Sequence, residues 1–403
     1  MISVLPYSSS DINQAPVGGE YDGVVRIKLG NVLATGALLY DGHAVLTAAH
    51  LFAGVSSISD AAVVFETSAG QQSFSIQKVL IHPEYDSANS VNDLAIVWLS
   101  ESVPSEAQRY NLYRSTDEIG QTFTAVGYGK TGLGRTGYST TQPNTPARVK
   151  SQNVFEADAA SLKRELGANV GWNPTDQQLI ADFDDGSQTH DSLGRLMKLT
   201  NLGLGNSEGL IAQGDSGGPA FINGLIAGVA SYVSSMGTGL IEPDVDSISN
   251  SSFGEIAAWQ RVSSYQQWID QSLRAQYADA PTSPDQVIKV ISEGDSGTKY
   301  VYFMLNFTGV RSNPNEVLSV EYATRDGSAT AGTDYLAAKG KLFLYANEVQ
   351  AVIPVEVIGD ILAEQDEYFY LDVFNPVGGS FGPGVVHLTA VRTILNDDFI
   401  FGT

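Results

Sequence analysis

The chain has 403 residues, no cysteine, and 45 Asp and Glu against 22 Lys and Arg, for a net charge of −23. That length suggests two or three domains. The charge argues against nucleic acid and anionic membrane surfaces as partners. The absence of cysteine excludes disulfides, thiolate metal sites and cysteine nucleophiles. No run of about 18 apolar residues is present to span a membrane. The opening MISVLPYSSSDINQ lacks the basic and apolar regions of a signal peptide, so the expectation is a signal already removed or another export route.

Residues 23–128 read as short strands broken by turns: GVVRIKL, ATGALLY, HAVLTAAH, QSFSIQKVLI, LAIVWL and FTAVGYG. Regular short strands of this kind predict an all-β barrel or sandwich. Residues 130–206 are rich in Gly, Asn, Asp and Thr and read as long loops with one helix near AASLKREL. Strand pattern returns at AFINGLIAGVASYV. A helix follows over 263–276, with Tyr265, Trp268, Ile269 and Leu273 at helical spacing. The Pro- and Ser-rich stretch 277–286 reads as a linker. Beyond it KYVYFMLNF, LSVEYA and AVIPVEVIG predict a β-sandwich over 287–399.

One serine, Ser216, sits in the glycine-flanked stretch QGDSGGP (213–219). The stretch also fits G-x-S-x-G, the elbow of α/β hydrolases. That fold needs strand-to-helix flanks and a histidine after the serine, whereas the flanks here are β and the only later histidine is His387, in the other predicted domain. The other chain order is His, Asp, Ser. Among His43, His50, His82 and His190, His50 closes the apolar strand AVLTAAH. Asp93 stands just before the apolar strand LAIVWL, placed to hold an imidazole. Serine needs such a base because it is a poor nucleophile until its proton is removed.

LTAAH, NDLAIV and GDSGGP occur in the order found in the trypsin/chymotrypsin-like serine peptidases, and residues 17–276 resemble that family. GYG (127–129) and SYV (231–233) resemble further landmarks. The resemblance implies two antiparallel β-barrels with a C-terminal helix. It assigns His50 as general base, Asp93 as its orienter, Ser216 as nucleophile, and the Gly214 and Ser216 amides as oxyanion hole. It implies a protein or peptide substrate and no cofactor for the chemistry. The family's cysteines are replaced by Leu51 and Ala212. By family position Leu210 and Ile211 form the base of the specificity pocket, with Ser231 and Val233 on its wall, which implies cleavage after small or medium apolar residues. The aspartate before the nucleophile, Asp215, pairs in the family with a newly freed N-terminal amine. Pro16-Val17-Gly18-Gly19 is a partial match to that start, and internal hydrogen bonds to Asp215 are the alternative.

The acidic run DFDDGSQTHD (182–191) has alternating oxygens that suit calcium but lacks EF-hand spacing, and a solvated acidic loop is the expectation. Residues 287–399 resemble a Calx-beta domain through SEG, YATRDGSATAGTDY, VIGD, AEQDE and ILNDD. That resemblance implies Ca²⁺ ligands at Glu293, Asp334, Asp360, Glu364, Asp397 and Asp398, with Asn396 where some relatives carry a third acid. Together these readings predict a secreted serine endopeptidase with a calcium-binding accessory domain. The rival is a silent homologue acting as a calcium-dependent binding or adhesion protein, its site malformed around Asp215 or occluded by residues 1–22.

Overall fold

The computed structural model describes residues 1–3, 11–139, 141, 147–311 and 313–398. These residues form two compact units. The first comprises Met1–Leu39, His43–Glu101 and Glu106–Gln266; the second comprises Tyr40–Gly42, Ser102–Ser105 and the chain from Gln267 onward. No helix among the described residues is long and apolar enough to cross a membrane. Residue 399, the last expected residue of the sandwich, lies outside the described chain, as do 4–10 of the predicted occluding segment.

The first half of the first unit is a closed barrel, in spatial order Val24–Leu29, Val32–Leu38, Ala44–Thr47, Ala95–Leu99, Gly70–Ile81 and Ala61–Thr67. Strand Ala95–Leu99 is buried throughout, as a strand covered on both faces should be. Its second half is a seven-stranded antiparallel sheet. The order is Val149–Val154, Thr122–Gly127, Pro219–Ile222, Leu225–Ser235, Glu255–Arg261, Gln178–Asp182 and Ala157–Asp158. Asn223 and Gly224, both at positive φ, turn the hairpin inside AFINGLIAGV.

The segment expected to be mostly loop thus contributes strands Gly132–Leu133, Val149–Val154, Ala157–Asp158 and Gln178–Asp182, and a short helix Ser192–Met197. Gln178–Asp182 shows no polar alternation because both of its faces are buried. The predicted helices are present as Ala159–Leu166, capped by Asp158 on the Ser161 amide, and Val262–Arg274. The core of the seven-stranded half gathers Phe123, Phe155, Leu179, Phe183 and Trp259. Phe123 and Phe155 stack at 4.0 Å between ring centroids, and both meet Trp259 edge-on.

The second unit contains a five-stranded sheet ordered Val290–Ser292, His387–Leu395, Glu367–Val377, Leu318–Asp326 and Lys339–Leu344, and a pair Thr298–Asn306 with Gln350–Ile358. Residues from both, including Phe303, Val355, Leu371 and Phe369, share one core. That is the expected sandwich.

Replacing Phe155 with Ala removes a fully buried ring and leaves a cavity beside Trp259. A loss of about 3–5 kcal/mol is expected for the first unit, read as a lower denaturation midpoint followed by Trp fluorescence.

Candidate active site

His50 lies in a single helical turn, Ala49–Leu51, just past strand Ala44–Thr47. Its ring Nδ1 is 2.7 Å from Asp93 Oδ2, and its backbone N–H donates to Asp93 Oδ1 at 2.8 Å. Asp93 is buried and His50 is about a third exposed. The residue before Asp93, Asn92, takes a left-handed φ of 55° and is held by its side chain on the Glu84 carbonyl, a conformation that asparagine tolerates better than most residues.

A third donor on Asp93 comes from the other half of the unit. Ser231 Oγ donates to Asp93 Oδ2 at 2.6 Å. Ser231 sits at a register shift between Ala230 and Tyr232, where a bulge re-aims a side chain that regular pleating would send elsewhere. Pocket candidates Leu210 and Ile211 are buried in one apolar cluster against which Val233 packs. Ala212 is buried in the same cluster, so packing occupies one of the missing cysteine positions.

The serine loop is fixed by four hydrogen bonds, two with Ala230 and two with Thr35. The Gly217 and Ala230 amides donate to Ala230 O at 2.8 Å and Gly218 O at 2.9 Å. Thr35 of the barrel donates its N–H to Ser216 O at 3.0 Å and its hydroxyl to Gly214 O at 2.9 Å. Gly217, at φ 79°, lies so close to Thr47 and Ala48 that an added Cβ would stand 2.0 Å from Thr47 Oγ1. The loop that carries Ser216 therefore rests on the strand end that leads into His50. Gly214 has φ 98°. Among the described residues, neither the Gly214 nor the Ser216 amide donates to a protein acceptor.

Asp215 is buried. It accepts from Gly129 N at 2.8 Å and Ala212 N at 2.9 Å, and the amine of Met1 lies 2.9 Å from its Oδ2. The glycines of GYG make room for the carboxylate, since a Cβ on Gly127 or Gly129 would come within 2.2–2.5 Å of it. Val17 does not take part. It is exposed, and its neighbours are tied elsewhere. Gly18 N donates to Asp22, and Arg148 pairs with Asp22 at 2.5 Å while donating to Pro16 O. Internal hydrogen bonds do hold Asp215, as one of the two expectations had it, and an amine joins them.

The acidic run 182–191 corrects a second expectation. Asp182, Asp184 and Asp191 are buried, not solvated. Asp191 caps helix Ser192–Met197 through Gly194 N. Thr35 was also missed: nothing in VLATGAL marks a threonine that clamps a loop 179 residues away.

In the second unit the carboxylates gather in two groups, Glu293 with Asp397 and Asp398, and Asp334 with Glu364 and Glu367. Asp360 adjoins both; its charge acts on Glu293 and on Glu364. Burial, then repulsion from Asp360, Glu364, Asp397 and Asp398, raises Glu293 to about 7. Glu293 Oε1 and Asp398 Oδ2 are buried without a partner, which suits hard-oxygen ligation of a cation. Asn396 braces the loop instead: its Oδ1 accepts from Glu364 N and its Nδ2 donates to Asp398 O. Glu367 joins the second group although it was not among the expected ligands.

Comparison with known proteins divides the chain in the same way. The Trypsin family model matches residues 13–188, and the Calx-beta domain model matches 305–398. The chain carries a trypsin-like domain followed by a Calx-beta domain. The Trypsin match includes His50 and Asp93 and ends before Ser216. Duodenase-1 of Bos taurus is 25% identical over 235 residues, 57% of this chain and 74% of that protein. The sodium/calcium exchanger Calx of Drosophila melanogaster is 40% identical over 88 residues, 22% of this chain. The chain spans only 7–17% of the length of the exchangers it matches. Neuropsin, a serine protease expressed in the limbic system of mouse brain, aligns with a TM-score of 0.47 and 16% identity over 65% of this chain and 98% of its own.

Gly217→Ala adds a Cβ at positive φ against Thr47 Oγ1, Thr35 O and Ala48 N. About 1–3 kcal/mol of strain is expected. The check is a lower melting temperature of the trypsin-like unit by calorimetry.

Proposed function

We propose that the chain is a secreted serine endopeptidase with a calcium-binding accessory domain. The observation that carries the reading is the carboxylate of Asp93 at 2.7 Å from His50 Nδ1, beside a clamped Gly-Asp-Ser-Gly loop. With Nδ1–H donated to Asp93, the His50 Nε2 lone pair is left to act as base. Ser216 Oγ attacks the scissile carbonyl as His50 takes its proton. The oxyanion is stabilised by the Gly214 and Ser216 amides, each such donor contributing about 3–4 kcal/mol. His50 then protonates the leaving amine, which departs and leaves an acyl-enzyme on Ser216. Water, deprotonated by His50, releases the acid and restores the serine. The buried Leu210 and Ile211, with Val233 against them, support preference for small or medium apolar residues before the cut. A basic side chain would find no carboxylate partner at those positions.

In the Calx-beta unit, Glu293, Asp360, Asp397 and Asp398 would hold one calcium and Asp334, Glu364 and Glu367 a second. Bound calcium would neutralise carboxylates that otherwise repel one another. This supports a role in stability, adhesion or substrate capture.

Wild-type protein treated with a fluorophosphonate is expected to gain one adduct by intact mass. Ser216→Ala is expected to lose the adduct and about 10⁶-fold in turnover of a peptide ester. A folded wild type that takes no adduct, or a Ser216→Ala protein that keeps turning over, refutes the assignment. Separately, saturating calcium at 100 times its Kd should stabilise the Calx-beta unit by about 2.7 kcal/mol, and Asp397→Asn with Asp334→Asn should abolish that gain in calorimetry.

A further inference from the structure

We propose that Glu156, Asp182 and Asp184 form a calcium site inside the trypsin-like unit, distinct from the acidic groups of the Calx-beta unit. One carboxylate oxygen from each lies within 4.8 Å of the others. Oxygens bound to one calcium at about 2.3–2.6 Å can be at most about 5 Å apart, so a single ion can touch all three. The donors are all hard oxygens, with no histidine or cysteine among them, which selects calcium over zinc.

A second observation points to a ligand. Asp182 is fully buried and its Oδ1 has no partner. Asp184 is 2% exposed and neither of its carboxylate oxygens has one. Both oxygens of Glu156 are likewise buried and unpartnered. One oxygen of each residue faces the other two, and the only side-chain contact within the trio is carboxyl to carboxyl, between Glu156 and Asp182. Leaving a single carboxylate buried and unpaired costs several kcal/mol, and here three stand together. Two further buried acids, Asp191 and Glu208, stand close by, yet none of the five forms an ion pair among the described residues.

The fold explains why they converge. Along Gln178–Asp182 and the next residues, Leu179, Ala181 and Phe183 enter one core while Ile180 enters another. Asp182 and Asp184 therefore share the face of Ile180. Glu156 is brought alongside by its N–H on Ile180 O. The site is also wired to the pocket strand. Asp184 N donates to Glu208 Oε1, and Asn153 Nδ2 bridges Asp182 O and Gly209 O. Gly209 and Glu208 immediately precede Leu210 and Ile211. Magnesium fits less well, since it keeps several waters and this cluster is shut from solvent.

The alternative neutraliser is a proton shared between carboxyl groups, and the test separates the two. Full-length protein is stripped with EDTA and hydrogen exchange is followed by mass spectrometry with and without calcium chloride. Calcium is expected to slow exchange at least ten-fold in segments 178–184 and 191–210. In Glu156→Gln and Asp184→Asn that protection should vanish, while calcium protection around residues 293 and 397 persists. If calcium leaves segments 178–184 and 191–210 of the wild type unchanged, the proposal is overturned, whether or not the variants fold. It is equally overturned if the amide variants melt higher than wild type and keep a wild-type calcium response in those segments, because an amide then merely replaces a protonated acid.

Discussion

The buried carboxylate of Asp93 is the constraint on which the candidate site depends. It is satisfied by three donors, the His50 amide, the His50 ring and the Ser231 hydroxyl, with no Lys or Arg among them. Two donors come from the barrel and one from the seven-stranded half. A buried carboxylate is costly unless every acceptor site is filled, so the two halves must approach in one register for Asp93 to be met. The bulge at Ser231 is the local device that makes this possible. It also presents Ala230 to the serine loop, where its N–H and C=O bind Gly218 and Gly217. One irregularity in one strand thus orients the imidazole and sets the height of the serine.

Asp215 performs the complementary task behind the loop. Its side chain is met by amide donors, while the neighbouring Gly214, at φ 98°, donates its amide to no protein acceptor among the described residues. The loop is then held at its carbonyls by Thr35 and at its carboxylate by Gly129 and Ala212. Hydrogen bonds to a charged acceptor are about twice as strong as neutral ones, which favours anchoring the loop through the acid beside the serine. Packing takes over where a disulfide is missing: Ala212 is sealed among Phe183, Leu210 and Trp259.

How much of this was legible in the sequence follows from how local each requirement is. His50, Asp93 and Ser216 sit in short motifs whose glycines, asparagine and apolar flanks are needed on the spot. The glycines at 127 and 129 were visible, but their reason, room for Asp215, is a contact 86 residues away in the chain. Thr35 was invisible because a threonine in a strand is ordinary, and only the partner makes it a clamp. The run DFDDG reads as solvated because charge alone suggests exposure. The signal that would have found it was period-two patterning across QLIADFDD: with apolar residues on both faces, the strand leaves its acids no route to water. The partial match at Pro16-Val17-Gly18-Gly19 was visible as well; in the intact chain Asp22 and Arg148 bury their own ion pair and tie that segment down.

The excess of 45 acids over 22 bases takes on a different meaning once the acids are located. A solvated acidic surface would gain solubility from its charge and little else. Here several of the carboxylates are gathered in clusters where burial acts on them first and neighbouring carboxylates second. Burial and mutual repulsion together raise Glu293 and Glu367 to about 7, and burial likewise raises Glu156, Asp184 and Glu208. Such groups oppose folding while charged and unpaired, and favour it once a cation binds. With calcium bound at the proposed sites, a chain without disulfides would gain from this arrangement a cross-link that depends on the ion. In the trypsin-like unit that cross-link would join strand Gln178–Asp182 to the segment entering Leu210 and Ile211, the residues proposed for the specificity pocket. Stability and substrate recognition would then answer to the same ion.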